Sequence, residues 1–242
     1  MILTHKKFGL FKSIRVLYQD EPLKFNKWNY VTVVSYQKIH ELEKEGFSLT
    51  TKNIANIYLD GTDEEILGRF SRNTRNEIHR TEANYESPLR QGFAGQVRFM
   101  SDAEYKKTEY ELYKQFEVSQ NRKPWREDTL RDGILHFNAY YKNELVSSIP
   151  CYDLKPVLQV RAMFSKRLST HDHELNKVIS NASRRLVYEV CKWARAREYK
   201  FVGLGAVTTS TEQKANVAQF KMFFNPKIEI EYTYTKKPWF ML

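Results

Sequence analysis

The chain has 242 residues, with 39 lysine and arginine side chains against 29 aspartate and glutamate, so its formal net charge is +10. A hydrophobic content of 41% with 14% aromatic residues excludes a disordered chain, and two cysteines exclude a disulfide framework or a zinc cluster. No apolar run has the length of a membrane span, and the first residues lack the continuous apolar core of a secretory signal. We therefore expect a cytoplasmic, globular protein without stable membrane insertion.

The excess positive charge is concentrated in the last third of the chain. Residues 161–242 carry 15 basic and 7 acidic side chains, whereas residues 1–160 carry 24 and 22. This distribution predicts a local binding site for a polyanion or a phosphate-bearing ligand, and an ordinary solvated basic face is the alternative.

The first part of the chain has the pattern of an incomplete α/β portion. Val31–Tyr36 is short and β-branched, which predicts a strand, and a helical pattern follows over residues 36–46. Ile54–Asp60 predicts a second strand. We place a boundary here, with an abbreviated N-terminal α/β portion at residues 1–55 and a main domain at residues 56–242.

The main domain begins with two predicted helices that flank a strand. Thr62 precedes three acidic residues, so it predicts the N-cap of one amphipathic helix over residues 62–85. A strand is predicted at residues 96–100. The following helix is expected to be capped by Ser101 or Asp102.

The rest of the chain predicts a mixed sheet with a central antiparallel meander. Three strands with short turns are followed by helix, strand, helix and strand, an order that favours a mixed α/β fold over a doubly wound one. Neither G-x-G-x-x-G nor G-x-x-x-x-G-K-S/T occurs, so no dinucleotide or P-loop site is predicted. The predicted elements are strands at 134–141, 145–153 and 157–165, a helix at 181–197, a strand at 201–206, a helix at 212–224 and a strand at 228–235.

Three segments of the main domain match the patterns of a known family. The first has the form S-x-x-x-R-x-x-I-x-x-x-E, the second is a helix that leads into the strand FVGLGA, and the third has the form F-K-x-x-F. In order and spacing they resemble the GCN5-related N-acyltransferase superfamily, in its branch of FemABX peptidoglycan-bridge aminoacyltransferases and polysaccharide-pathway relatives. The matching residues are Ser71, Arg75, Ile78 and Glu82 in the first segment, residues 186–206 in the second, and Phe220, Lys221 and Phe224 in the third.

The resemblance implies a fold, an activity and partners. The fold would be GNAT-like, with helices on both faces of the sheet. The activity would be transfer of an acetyl or aminoacyl group to an amine on a sugar-nucleotide or cell-envelope precursor, with acyl-CoA (acetyl-CoA) as the suspected donor and no metal. Donor and acceptor would be phosphate-bearing small molecules. The alternatives are an aminoacyl-tRNA-dependent FemABX-type enzyme and a non-enzymatic nucleic-acid-binding protein.

The start of the long helix is the predicted site for the donor's phosphates. Ser180, Asn181 and Ser183 are the expected capping groups, and Arg184 and Arg185 supply cations beside them. In this family the sheet splays near this helix, which supports the assignment. An ordinary N-cap with surface arginines is the alternative.

Lys221 is the leading candidate for a catalytic group. The resemblance places its helix beside the active-site groove, where an ammonium group would neutralise a phosphate or stabilise the oxyanion of acyl transfer. His171 and Glu174 lie in the segment HDHE and are the candidates for a general base. A polar loop without catalytic function is the alternative for that segment.

Three arginines are candidates for binding the acceptor. Arg72 and Arg75 lie three residues apart on one helix face, where guanidinium groups suit a diphosphate. A face of ion pairs with Glu77 and Glu82 is the alternative. Arg161 is predicted inside the third meander strand, where an arginine is costly unless it is paired or faces a cleft.

Overall fold

The computed structural model describes residues 2–7, 11–17, 29–82, 96–169 and 172–238. In chain order, its strands are β1 (Ile2–Lys7), β2 (Phe11–Leu17), β3 (Tyr30–Ser35), β4 (Ser48–Tyr58), β5 (Val97–Met100), β6 (Ile134–Tyr141), β7 (Glu144–Leu154), β8 (Val157–Val160), β9 (Phe164–Ser165), β10 (Phe201–Ala206) and β11 (Lys227–Lys236). The helices are α1 (His40–Lys44), α2 (Asp63–Arg69), α3 (Arg72–His79), α4 (Lys107–Ser119), α5 (Asp128–Arg131), α6 (His173–Arg195) and α7 (Glu212–Met222), and a 3-10 helix spans Lys166–Ser169. None of the helices in these ranges is both long and apolar enough to cross a membrane.

The chain forms two compact units. The first contains Met1–Ile54, Ala206–Thr208 and Ile228–Leu242, and the second contains Ala55–Gly205 and Thr209–Lys227. The chain first passes from the first unit to the second after Ile54, next to the boundary that the sequence suggests at residue 55. The domain boundary stays a prediction. From Ile228 onward β11 lies in the first unit, where it pairs with β3.

The first unit is a sheet in the order β1-β2-β3-β11, followed by the first residues of β4. β2 runs parallel to β3, and β11 runs antiparallel to it. Val16, Val33, Phe47 and Tyr234 belong to its core. The Tyr234 hydroxyl accepts a hydrogen bond of 2.6 Å from the backbone N–H of Ile39, which satisfies a polar group next to helix α1.

The second unit contains the predicted meander. Its sheet begins with the last residues of β4 and continues in the order β10-β8-β7-β6-β5. β5 to β8 pair antiparallel, and β8 pairs parallel with β10. Ser147 of β7 contacts Ser183 of α6, whereas the next residue, Ser148, contacts Glu109 of α4. Because successive side chains of a strand point to opposite faces, α6 and α4 cover opposite faces of this sheet, as predicted.

The predicted helix at 62–85 is two helices. Thr62 forms the predicted N-cap of α2 in a full capping box with Glu65. Phe70 then leaves the helical conformation, and the hydroxyl of Ser71 accepts a hydrogen bond from the backbone N–H of Thr74. The break therefore follows from a second N-cap inside the apolar pattern.

Two other helix starts also differ from the prediction. α4 begins at Lys107, after an extended segment, and not at Ser101 or Asp102. α6 begins at His173 with Asp172 as its N-cap. The sequence favoured a start near Asn181 because several polar residues there can act as caps.

The capping box allows a direct test of the α2 assignment. Replacing Thr62 by alanine removes the acceptor for the backbone N–H of Glu65, and we expect a loss of about 1 kcal/mol in the free energy of unfolding. Urea denaturation measures it. Glu64→Gln on the same turn is the control and should stay within about 0.5 kcal/mol of the wild type; an equal effect of both changes would contradict the capping assignment.

Candidate active site

A cleft of about 830 Å³ opens in the second unit, lined by α4, β7, β9, α6 and α7. Apolar side chains form much of its wall, and α6, β7 and the 3-10 helix supply hydroxyl and guanidinium groups. The apolar residues include Phe116, Met163, Phe164, Val217, Phe220 and Phe223. The polar residues include Ser147, Arg167, Ser180, Ser183 and Arg184. A concave, largely apolar site with a few convergent polar groups is the usual form of a small-molecule binding site.

The wall formed by α7 is fixed by its contacts with the break between α2 and α3. The backbone N–H of Ser71 donates to the carbonyl of Phe223 over 3.0 Å. Phe70 packs edge-on against Phe224, with ring centroids 5.1 Å apart. The irregular backbone at residues 70 and 71 therefore holds the C-terminal end of α7 in place.

Arg184 is a cation of the cleft that several neighbouring groups hold in place. Its Nε lies 2.7 Å from a carboxylate oxygen of Glu77, and its Nη1 donates to the hydroxyl of Ser180 over 2.5 Å. Its guanidinium carbon lies 5.7 Å from the ring centroid of Phe220 and 5.3 Å from that of Phe223. These contacts pre-organise the side chain, so that little conformational entropy is lost when it binds an anion.

The electrostatics of Arg184 favour a bound anion. Burial lowers the pKa of its guanidinium, Glu77 opposes that shift, and the nearby cation Arg167 adds to it. Arginine nevertheless stays protonated in proteins. Two cations that repel each other at the wall of one cleft are both stabilised when a phosphate or carboxylate binds near them.

A pair of serine hydroxyls links three elements at the cleft. Ser183 of α6 donates to the Ser147 hydroxyl over 3.0 Å, and Ser147 donates to the carbonyl of Phe164 over 3.3 Å. Ser147 has no counterpart in the sequence prediction. The sequence gives little indication of a functional role for Ser147, since the hydroxyl of a serine in an apolar strand usually forms a hydrogen bond with a backbone group.

The structure places the five predicted donor-phosphate residues in different surroundings. Ser180, Ser183 and Arg184 line the cleft. They lie within α6, beyond its first turns, so the predicted capping role of Ser180, Asn181 and Ser183 is wrong. Asn181 is buried. Arg185 contacts Glu189 over 2.5 Å and Glu82 over 3.0 Å, and these ion pairs tie α6 to the end of α3.

Lys221 follows the cleft residue Phe220 on α7, and its side chain reaches the region where β8 and β10 part. These two parallel strands are paired from Val157 and Phe201 as far as Gln159 and Gly203; we call the point where they then separate the strand fork. Lys221 is only 6% exposed. Its Nζ comes within 3.8 Å of the position that a Cβ would take on Gly205, so the ammonium group reaches β10 just beyond the strand fork.

Of the two predicted general bases, only Glu174 lies in the described part of the chain, and it does not line the cleft. His171 lies outside the described residues. Glu174 is exposed on the first turn of α6 and contacts Lys177 over 2.7 Å. The Lys177 ammonium group holds the pKa of the Glu174 carboxyl below its usual range, which makes it a weaker base.

The predicted acceptor arginines are dispersed. Arg75 donates to the carbonyls of Gly68 and Phe70, and these bonds close the end of α2. Arg72 is exposed. Neither forms an ion pair with Glu77 or Glu82, because those carboxylates contact Arg184 and Arg185. The alternative of an Arg72/Arg75 ion-pair face is therefore wrong.

Arg161 lies just after strand β8 and not inside a continuous strand as predicted. Residues 161–163 separate β8 from β9. The guanidinium carbon of Arg161 stacks 3.7 Å from the ring centroid of Trp125 and lies 5.5 Å from that of Tyr152. Cation–π stacking compensates part of the cost of its burial.

The described residues contain neither a candidate metal site nor an accessible thiol. No group of three histidine, cysteine, aspartate or glutamate side chains in the described ranges could hold a metal ion. Cys151 and Cys191 are fully buried, and burial raises the pKa of both thiols. A buried protonated thiol is a poor nucleophile.

Known structures share this fold at low sequence identity. FemX matches with a TM-score of 0.67 at 10% identity, over 96% of this chain and 83% of FemX. The fold is FemX-like. A C-terminal domain assigned to a lysylphosphatidylglycerol synthetase of Agrobacterium fabrum matches with a TM-score of 0.57 at 10% identity, over 98% of this chain and 80% of that one. L-PGS from Bacillus licheniformis gives 0.52 at 14% identity, with coverages of 98% and 80%.

No protein-family profile and no curated protein matches the sequence. The FemX-like match nevertheless confirms the mixed α/β fold of the FemABX-like branch that the three sequence segments imply. At these identities the likeness concerns the fold.

Proposed function

We propose that this protein is an N-acyltransferase that moves an acetyl or aminoacyl group to an amine on a sugar-nucleotide or cell-envelope precursor. One observation carries the proposal: in a FemX-like fold, the buried Lys221 reaches the strand fork from α7, the helix whose residue Phe220 lines a cleft that presents Arg184 and Arg167. An apolar cleft suits the body of a substrate. The arginines suit its phosphate or carboxylate.

The proposed reaction needs few groups from the protein. The acceptor nitrogen bonds to the carbonyl carbon of the donor, and the carbonyl electron pair moves to oxygen. The oxyanion then reforms the carbonyl and expels the donor's thiolate or ribose oxygen, which takes up the proton lost by the amine. Positioning and stabilisation of the oxyanion supply the rate, and the Lys221 ammonium group is the proposed stabiliser.

An acyl-CoA donor does not fit the start of α6. Backbone N–H groups at a helix start bind a pyrophosphate only if they are free. Here one carboxylate oxygen of Asp172 accepts from the N–H groups of both Glu174 and Leu175, and Glu174 adds negative charge beside them. The proposal therefore assigns the donor's phosphate to Arg184 and Arg167 in the cleft.

An aminoacyl donor is the second candidate within the same enzyme class. The closed start of α6 weakens the case for coenzyme A but leaves an aminoacyl ester unaffected. The name lysylphosphatidylglycerol synthetase describes a product in which a lysyl group is joined to an anionic acceptor. Aminoacyl transfer to an anionic, amine-bearing or hydroxyl-bearing acceptor would use the same strand fork and the same cations.

A non-enzymatic nucleic-acid-binding protein is less well supported. Single-stranded nucleic acids are held by exposed aromatic side chains beside basic grooves. The largest fully buried side chains here include Tyr113, Tyr234, Phe70, Phe137 and Phe224. These aromatic side chains are therefore part of the core and unavailable for base stacking.

Ligand binding distinguishes these functions. Thermal unfolding is measured with coenzyme A, acetyl-CoA, a UDP-sugar and bulk aminoacyl-tRNA, since a ligand of the native state raises Tm. For the ligand that binds, Arg184→Met should weaken affinity by about tenfold to a hundredfold, because a charge-assisted hydrogen bond contributes about 1.5–3 kcal/mol.

Lys177→Met is the matched control, since it removes one charge from the same helix at an exposed pair with Glu174. It should leave the affinity unchanged. Equal losses in both variants would show unspecific electrostatic attraction. The proposed function would be refuted if none of the four ligands raised Tm and if no radiolabelled acyl group were transferred from acetyl-CoA or from aminoacyl-tRNA.

A further inference from the structure

The side chain of Gln159 occupies the strand fork. Gln159 is the last residue of β8 that pairs with β10, opposite Gly203. Its Nε2 donates to the carbonyl of Val160 over 3.2 Å and to the carbonyl of Gly203 over 3.0 Å. Both N–H bonds of one amide are thus directed to carbonyls on the two strands that separate there.

Those two carbonyls are where the ladder between β8 and β10 ends. The amide of Gln159 donates to one carbonyl of each strand. It therefore links β8 to β10 at the strand fork and limits how far the two strands separate there.

Glycines in β10 make room for this arrangement. A Cβ on Gly203 would lie 2.4 Å from Oε1 of Gln159, which is closer than real contacts allow. A Cβ on Gly205 would meet both Nε2 of Gln159 and Nζ of Lys221 at 3.8 Å. The side chains of Gln159 and Lys221 therefore both approach Gly205 of β10.

We infer that Gln159 is a positioning residue that fixes the strand fork and, through it, the place of the Lys221 ammonium group. The inference rests on the proposed function, because Lys221 has its catalytic role only there. Gln159 touches neither donor nor acceptor in this scheme. Its contribution passes through Lys221.

A double-mutant cycle tests this dependence. Gln159→Met keeps the length of the side chain and removes the amide, and kcat should fall about tenfold, the loss expected from two neutral hydrogen bonds of moderate net strength. KM should change little. In a Lys221→Met background the same change should have no further effect on kcat, because residues that act through one another are not additive. Additive losses would overturn the inference.

A second measurement needs no substrate. The labelling rate of Lys221 by an amine-reactive reagent is followed by peptide mass spectrometry, with half-buried Lys192 of α6 as an internal reference. Gln159→Met should raise labelling of Lys221 about tenfold through loss of the same hydrogen bonds, with labelling of Lys192 and Tm nearly unchanged. Labelling at the wild-type rate would overturn the inference.

The two measurements separate the inference from the proposed function. If no donor is used by the wild type, the proposed function fails, and the labelling rate still decides whether Gln159 positions Lys221. If Gln159→Met does not fold, Gln159→Asn replaces it, since its amide is one carbon too short to bridge both carbonyls. A wild-type labelling rate in Gln159→Asn would then overturn the inference.

Discussion

Replacing Lys221 by methionine is expected to lower kcat for acyl transfer by about a hundredfold or more, the usual effect of removing a group that stabilises an oxyanion. Methionine nearly matches the length of lysine and is apolar, so it fits the buried position. KM should change less than kcat, because the ammonium group interacts with charge that develops during the reaction. Steady-state kinetics with the donor identified by thermal shift measures both constants.

The burial pattern of α7 supports a functional role for Lys221. On this helix Val217 and Met222 are 40% and 44% exposed, whereas the lysine is buried. That is the reverse of the usual partition, in which lysines are almost never buried. A local rule broken in this way is expected at functional sites.

Stability separates this role from a structural one. Replacing a buried charged group by a well-packed apolar one is often neutral or stabilising, so Lys221→Met should keep or raise Tm while kcat falls. Lys214→Met on the same helix is the control, since Lys214 is exposed and its ammonium group donates to the Ser210 hydroxyl. A parallel fall of Tm and kcat in Lys221→Met, or wild-type kcat, would contradict the catalytic assignment.

Sequence patterns predicted those strands whose ends are determined by the residues next to them in the chain. β6 at Ile134–Tyr141 and β10 at Phe201–Ala206 match the predicted ranges, because polar turn residues bound each apolar run. Helix starts were predicted less well, since several polar residues near α6 can act as caps. Asp172 is the N-cap because its carboxylate satisfies two backbone N–H groups.

The candidate site was predictable only in part, for a physical reason. Lys221 and Arg184 stand in segments with a recognisable pattern. The partners that hold the site together are distant in sequence: Glu77 contacts Arg184, and Ser147 contacts Ser183. Such pairs depend on strand order and helix packing, which residue spacing along the chain does not determine. Gln159 belongs to the same class, because its role depends on the point where β8 and β10 separate.

The largest expected effect on stability comes from a buried polar cluster around Glu109. Its Oε1 lies 2.5 Å from Nδ1 of His136 and accepts from the hydroxyl of Ser148 over 3.0 Å, and its Oε2 accepts from the amide of Asn138 over 3.1 Å. All four residues are at most 2% exposed. The carboxylate of α4 therefore joins three polar groups of β6 and β7 in a dry environment, where each depends on the others.

Glu109→Ala should cost about 3–5 kcal/mol in the free energy of unfolding, because three buried polar groups lose their common partner at once. Glu111→Ala on the same helix is the matched control. It breaks an exposed ion pair with Lys114 and should cost at most about 1 kcal/mol. Urea denaturation with a constant m-value measures both. Equal effects of the two changes would mean that water reaches the cluster. Replacing Glu109, His136, Asn138 and Ser148 together by apolar residues should recover much of the loss, since no buried polar group is then left without a partner.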